Sequence, residues 1–401
     1  MLTRPLLLLM AVATGLTVGG NYVNQPLLDT IAADLGVSQG SAGSLVTVAQ
    51  VSYGIGLLLV VPLGDLLERR RLLTVLVVLA AAGHVVCALA PTFGVLVVGT
   101  AVAGVFSVAA QILVPFAADL AEDGRAGRAV GTVMSGLLVG ALLARSVSGA
   151  LADVSDWHVP YAVVAGGLLV LAVVLHRRLP RSRPVRVGGY LATLASTARL
   201  VREEPRLRTR ALLGGFGFAG VSVLFATMTF LLAGPRFGLT DSGIGLIALA
   251  GAAAAVTASL AGRASDAGRG QWVTGLGAAL FLVTWGVLWL SASPWLTSLP
   301  VFVLGFLLAD LALQAVHVSN QNVVYPLRPD ARARLNSAYM TTYFAGGALG
   351  SAVGSAAWIR GGWTGVTLAG LSFGVLALLV WVVDLRTERA GRRAVSGAAA
   401  A

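Results

Sequence analysis

PVFVLGFLLADLALQAVHVSNQ, residues Pro300 to Gln321, is the stretch whose reading decides the fold. It is apolar and long enough to cross a bilayer as one helix, since about 20 residues at roughly 1.5 Å each cover the hydrocarbon core. Yet it carries Asp310 near its middle, followed by Gln314, His317 and Gln321. Those positions are i, i+4, i+7 and i+11, so the four side chains lie along one helix face. A carboxylate at bilayer depth costs about 2.5–3.5 kcal/mol on insertion scales, and such residues face a protein interior or a water-filled path. A helix-to-helix hydrogen bond that fixes packing is the plain explanation. A substrate or proton pathway is the functional one.

Composition places the whole chain in the same setting. Of 401 residues 57% are hydrophobic and only 11% charged, and the mean hydropathy is +0.86. A soluble protein of this size carries about 25% charged residues, so the chain is an integral membrane protein. Its 50 glycines suit close helix packing in lipid. Cys87 is the only cysteine, which excludes an intramolecular disulfide and a multi-cysteine metal site. The net charge of +11 comes entirely from arginine on the basic side, because the chain has no lysine.

Outward from Pro300–Gln321, apolar spans recur along the chain. Residues 5–28 form the first, read as an uncleaved helix because no small-residue cleavage site and polar mature domain follow. Others lie at about 42–63, 72–91, 94–119, 128–151 and 159–176, then 211–234, 242–262, 272–291, 299–321, 334–357 and 363–384. They are too long and too continuous for β-barrel strands. The predicted fold class is therefore an all-α membrane protein of twelve transmembrane helices. Residues 1–176 form an N-terminal six-helix bundle, 177–210 a cytoplasmic linker loop, 211–384 a C-terminal six-helix bundle and 385–401 a disordered cytoplasmic tail. Within the linker, 188–203 reads as a surface helix.

The arginines orient these spans. With both termini in the cytoplasm, 25 of the 28 fall inside, ten of them between Arg177 and Arg210. Only Arg236 and Arg360 fall outside, and Arg145 lies within a helix. Basic loops on the cytoplasmic side are the positive-inside pattern, which accounts for the net charge without nucleic acid. Trp157, Trp295, Trp358 and Trp363 fall at the proposed outer ends, where amphipathic rings favour the interface.

The two halves also resemble each other. LGVSQGSAG at 35–43 aligns with FGLTDSGIG at 237–245, and GDLLERR at 64–70 with GRASDAG at 262–268. RAVGTVMSGLLVGALLA at 128–144 aligns with RLNSAYMTTYFAGGALG at 334–350. The offsets of 202, 198 and 206 are nearly one value and imply duplicated six-helix halves. Transporters built this way place substrate at the repeat interface near the midplane.

Six plus six helices, a long basic central loop and a G-x-x-x-[DE]-R element between helices 2 and 3 resemble the major facilitator superfamily. Gly64, Leu66 and Arg69 match its loop signature; Glu68 replaces the expected Asp, and Arg71 stands where a second Gly belongs. A shortened second copy keeps Gly262, Asp266, Gly268 and Arg269. The wording around NYVNQPLL, LGDLLERRRLL and HVSNQNVVYPLRPDARARLNSAYM is similar to the bacterial arabinose- or drug-efflux-like permeases. A helix 5 element of drug antiporters is incomplete here: Gly136 and Gly140 are present, but Ala141 replaces the proline.

The resemblance implies a cytoplasmic latch made of Gly64, Glu68, Arg69, Arg71 and Asp266, with Asp119 or Glu122 as the acid at the base of helix 4. It also implies that helices 1, 4, 7 and 10 wall a substrate cavity. Candidates for that wall are Asn21, Asn24 and Gln25 in helix 1, Tyr53 in helix 2 beside Gln50, Gln111 in helix 4, and Gln314 and Gln321 in helix 10. Gln111 and His317 are 206 residues apart, which puts them at matching points of the two repeats. Arg145 lies too deep to snorkel and cannot deprotonate, so it needs an acceptor: Asp310, a carbonyl or an anionic substrate. A structural or gating ion pair is the preferred role. His84 and Cys87 on a peripheral helix read as packing, and isolated histidines make no metal site.

No nucleophile set, nucleotide motif or metal-ligand spacing stands out, so an enzyme is the least fitting class. Asp310 is expected to carry the proton and His317 to tune or relay it. The expected protein is a monomeric secondary transporter of a bacterial-type inner membrane. It exports a small organic molecule (a drug-like compound, sugar or metabolite) against protons, with no cofactor beyond the gradient. Proton symport or facilitated uptake of a sugar or metabolite is the alternative within transport. A non-transporting membrane sensor or assembly partner is the alternative outside it.

Overall fold

The computed structural model describes residues 2–122, 125–182, 189–253, 260–293, 295–328 and 331–400, with side chains at 252, 253, 266, 333 and 389–400 left aside. Among the described residues, ten helices are long and apolar enough to cross a membrane. The first half contains α1 (Arg4–Gly20), α2 (Leu28–Asp34), α3 (Gln39–Leu59), α4 (Leu63–Leu66), α5 (Arg69–Ala88), α6 (Phe93–Phe106), α7 (Ala109–Leu120), α8 (Ala126–Val154) and α9 (His158–Arg178). Next come α10 (Tyr190–Glu203), in the stretch expected as a surface helix, and α11 (Pro205–Ala233). The remainder holds α12 (Asp241–Leu249), α13 (Gly270–Ser291), α14 (Leu299–Val324) and α15 (Arg332–Ala400). A two-residue hairpin of β1 (Ala292–Ser293) and β2 (Leu296–Thr297) turns the chain between α13 and α14.

Several expected spans change form. The range Arg332–Ala400 is two helices meeting at Gly362, whose φ of 52° and ψ of −145° lie outside the helical region. The segment 385–401, expected as a disordered tail, continues the second of them to Ala400. The expected span 242–262 begins as α12, and its middle lies outside the described residues. The first span is not one helix. After α1 the chain makes i→i−3 bonds, from Tyr22 N to Gly19 O (2.9 Å) and from Leu27 N to Asn24 O (3.0 Å). Pro26 explains the break, because it has no N–H and its ring collides with the carbonyl four residues earlier.

The duplication is visible in the backbone. Gly36 and Gly238 both take left-handed φ, 61° and 60°, where glycine avoids the Cβ penalty. Two residues later Ser38 caps α3 by accepting from Ser41 N (3.1 Å), and Thr240 caps α12 by accepting from Gly243 N (3.4 Å). The third aligned pair has the same meaning. A methyl group on Gly140 of α8 would overlap the Gly15 backbone of α1, and one on Gly346 of α15 would overlap Gly215 of α11. Glycine lets these backbones touch, and close contact replaces the hydrophobic drive that lipid removes.

Two compact units form, and they do not follow the sequence halves. One comprises Met1–Thr193 with Phe225–Ala252, the other Leu194–Leu224 with Ala253–Ala401. The boundary falls inside α11 because its later part is tied to the first unit. Thr229 Oγ1 donates to the Gln25 carbonyl at 2.6 Å; α12, which follows, is held there too, with Ser146 Oγ donating to the Gly245 carbonyl at 2.8 Å. Met10, Leu73, Val77, Leu113, Phe116 and Leu168 fill the core of that unit. Exposed Val98, Val170, Leu276 and Leu379 would be an aggregation hazard in water and are lipid-facing surface here. Two of the tryptophans expected at the interface turn inward instead. Trp157 Nε1 donates to Asp34 Oδ2 (2.8 Å), and Trp363 Nε1 to the Leu288 carbonyl (2.9 Å), because a buried indole N–H needs an acceptor.

Candidate functional site

The polar face of α14 is formed as its spacing predicts. Asp310, Gln314, His317 and Gln321 are each half-buried, while Ala309 just before them and Ala312, Leu313 and Val316 between them are buried. Asp310 is not without a partner in the protein. His317 Nδ1 lies 3.0 Å from the Tyr339 hydroxyl, and its ring packs 5.0 Å from that of Tyr343. Tyr343 in turn stacks on Phe218 at 4.2 Å, so aromatic rings from α15 and α11 back the histidine.

Beneath His317 lies a buried polar network that sequence reasoning missed. Asn320 Nδ2 donates to the Arg210 carbonyl (3.1 Å) and to the Tyr339 hydroxyl (3.5 Å). Arg210 donates from Nη1 to Asn320 Oδ1 (3.3 Å) and Thr274 Oγ1 (2.9 Å), and from Nη2 to Asp384 Oδ2 (2.6 Å). Thr209 Oγ1 and Gln271 Nε2 also donate to Asp384, at 2.6 and 2.7 Å. Arg210 reads as the last basic residue of a linker and Asp384 as the end of the last span. The one usable signal is Pro205, a favoured first helical residue, which starts α11 early enough to carry Arg210 into the helix.

In the first unit, Arg145 organises a second centre. Its Nε donates to Gln25 Oε1 at 2.6 Å and its Nη1 to the Ala141 carbonyl at 3.1 Å. The guanidinium sits 4.4 Å from the centroids of both the Tyr22 and Phe225 rings. A planar, weakly hydrated cation between two ring faces is a favourable way to hold charge away from water. Of the expected acceptors the carbonyl is present, and Gln25 is an acceptor the sequence had assigned to the cavity wall. Gln25 and Asn24 are buried and Asn21 is half-buried. They occupy the irregular turn after α1, so the helical-face argument for them does not apply. Gln111 Nε2 donates to the Tyr53 hydroxyl at 3.2 Å, joining two more wall candidates, with Gln50 buried nearby in sequence.

The loop between α4 and α5 brings most of the expected latch together. Arg69 pairs with Asp119, and its Nε donates to the Gly64 carbonyl at 3.1 Å. Glu122 pairs with Arg125 instead. Glu68 caps α5, accepting from Arg70 N and Arg71 N at 3.0 Å each, and also from Ser182 N at 3.2 Å. Partial burial pushes its carboxyl up, but the three backbone N–H bonds outweigh that and hold it below the usual carboxylate range. Arg71 is exposed, and the Asp266 side chain lies outside the described ones.

The Major Facilitator Superfamily model matches residues 10–326. The chain belongs to the major facilitator superfamily. An uncharacterized transporter, YgaY, of Escherichia coli O157:H7 is 46% identical over 380 residues, 95% of each chain. A chloramphenicol resistance protein of Streptomyces lividans is 30% identical over 288 residues, covering 70% of this chain and 72% of its own. Among solved structures, the chain resembles a bacterial homolog of the human lysosomal transporter Spinster, with a TM-score of 0.75 at 15% identity over 95% and 96% of the two chains. At that identity the likeness concerns the fold. Membership makes the protein a multi-pass membrane transporter of small molecules, not an enzyme, with the all-α fold of the superfamily.

Proposed function

We propose that this superfamily member is a monomeric secondary transporter of the bacterial inner membrane that exports a small organic molecule in exchange for protons by alternating access. The observation that carries the reading is Asp310, a half-buried carboxyl near the middle of the 26-residue apolar helix α14. An ionised carboxylate is costly to enclose without water, whereas a protonated or ligand-paired one is not. A carboxyl that exchanges its proton or its partner as water access alternates between the two sides can link the two fluxes, which is the condition for exchange. His317, two turns along the same face, tunes or relays that proton. Gln314 and Gln321, on the same face of α14, offer amides to the substrate. Arg69 with Asp119, joined by Gly64 and Glu68, serves as part of the cytoplasmic latch, with both termini on that side. The chloramphenicol resistance protein among the relatives supports export.

Purified protein in proteoliposomes tests this. Chloramphenicol is the first probe, within a wider screen for ligands that raise the melting temperature, since binding stabilises by mass action. Asp310→Asn is expected to abolish uphill transport driven by a pH gradient while downhill exchange and membrane insertion persist. Uphill transport by the Asn variant would overturn the assignment. The sign of the lumenal pH change on adding substrate separates antiport from symport. Substrate-dependent labelling from opposite membrane sides separates a carrier from a static sensor.

A further inference from the structure

The network below His317 has a polarity that can be followed atom by atom. Arg210 can only donate, so the Asn320 atom 3.3 Å from its Nη1 is the amide oxygen. The Arg210 carbonyl can only accept, so the Asn320 atom 3.1 Å from it is the amide nitrogen. Both contacts require the same amide orientation. Asn320 is fully buried and Arg210 is anchored by Asp384, so the amide has no room or reason to flip. Its nitrogen also faces the Tyr339 hydroxyl, which therefore accepts there. The hydroxyl proton is left for the other neighbour of that oxygen, His317 Nδ1 at 3.0 Å. An imidazole nitrogen that accepts carries no proton, so in the neutral ring the proton sits on Nε2.

We infer that Arg210, Asn320 and Tyr339 are positioning residues that hold His317 in the Nε2–H tautomer, so that it presents a hydrogen-bond donor and favours substrates with an acceptor oxygen at that point. Asp384 is the origin of the chain, because it fixes the guanidinium from which every later choice follows. Each member comes from a different span: Arg210 from α11, Asp384 and Tyr339 from the two parts of α15, and Asn320 from α14. The tautomer is thus a property of the packed unit and not of the helix that carries the histidine. The inference rests on the proposed function only for the statement that His317 meets the transported species.

Nitrogen-15 histidine labelling of the full-length protein in lipid nanodiscs reads the tautomer directly. His317→Gln assigns the signal among the four histidines. Wild type is expected to show the Nε2–H correlation pattern at neutral pH. Asn320→Asp should invert it, because a carboxylate can only accept from Tyr339, leaving the tyrosine oxygen to accept from His317 Nδ1–H. Asn320→Asp also loses the bond to the Arg210 carbonyl and can misfold. Tyr339→Phe is the second variant, and it should release the ring into a mixture of both tautomers. An Nδ1–H pattern in wild type, or an unchanged pattern in a folded variant, would overturn the inference. Transport by His317→Gln reports separately on the proposed function: if it equals wild type while the tautomer behaves as expected, the coupling role falls and the positioning role stands.

Discussion

Arg210 Nη2 and Asp384 Oδ2 stand 2.6 Å apart, and neither side chain has any exposure to solvent. Removing the aspartate is expensive, because Arg210 then stays buried without its counter-ion, whereas Asp384 alone would keep Arg206 at 3.6 Å. Asp384→Ala is expected to destabilise the protein by about 3–5 kcal/mol. The double replacement Arg210→Met with Asp384→Leu should cost far less, since no charge is stranded. Melting temperatures in one detergent check both; equal losses in the single and double variants would mean that the pair is not the unit of stability.

The contact between Gly140 and Gly15 leaves no space for a side chain. Gly140→Leu should force α1 and α8 apart, at a cost of roughly 1–3 kcal/mol or more. Gly166 of α9 is the control, because a Cβ there meets nothing within 4 Å. Monodisperse yield after extraction should fall for Gly140→Leu and stay near wild type for Gly166→Leu.

Arg145 owes its place to shape as well as charge. Lysine keeps the charge but loses the Nε bond to Gln25 and the flat stacking between Tyr22 and Phe225. Arg145→Lys is expected to cost about 1–3 kcal/mol. A double-mutant cycle with Tyr22→Leu should show coupling; purely additive losses would remove the ring contact from the account.

Glu68 lies outside the spans, and its cap responds to pH. Its folded pKa is lower than its ordinary value, so its stabilisation is present at neutral pH and is lost as pH falls through the folded pKa. Glu68→Ala should therefore destabilise by about 1 kcal/mol at pH 7. The gap between variant and wild type should close at a pH below that lowered pKa, where the wild-type carboxyl is protonated. Melting curves at the two pH values test the sign, and a gap that widens in acid would reverse it.

Much of the architecture is legible because membrane folding obeys local rules. Span length and apolar content are one-dimensional quantities, and the repeat at 35–43 and 237–245 preserves a turn glycine and a cap two residues later. The same alignment at 128–144 and 334–350 carries the glycines that set two helix crossings. Periodicity failed where the backbone stopped being helical. Asn21, Asn24 and Gln25 count as one face only if the helix continues, and Pro26 ends it. Trp157 and Trp363 fall at span ends by position, yet each finds an internal acceptor that position alone does not reveal.

By itself the chain determines that it crosses a membrane many times, that it is built from two related halves, and that Asp310 and His317 share one face of a span. Those properties depend on residue type and spacing, which are set before any helix meets another. Tertiary structure alone decided that Arg145 lies between two aromatic rings, that Arg210 and Asp384 meet across 174 positions of sequence, and that Asn320 passes their orientation to Tyr339 and His317. Charges near span ends look alike in one dimension, whether they mark topology or are drawn inside. Only packing, by withdrawing water and supplying a partner, separates the two.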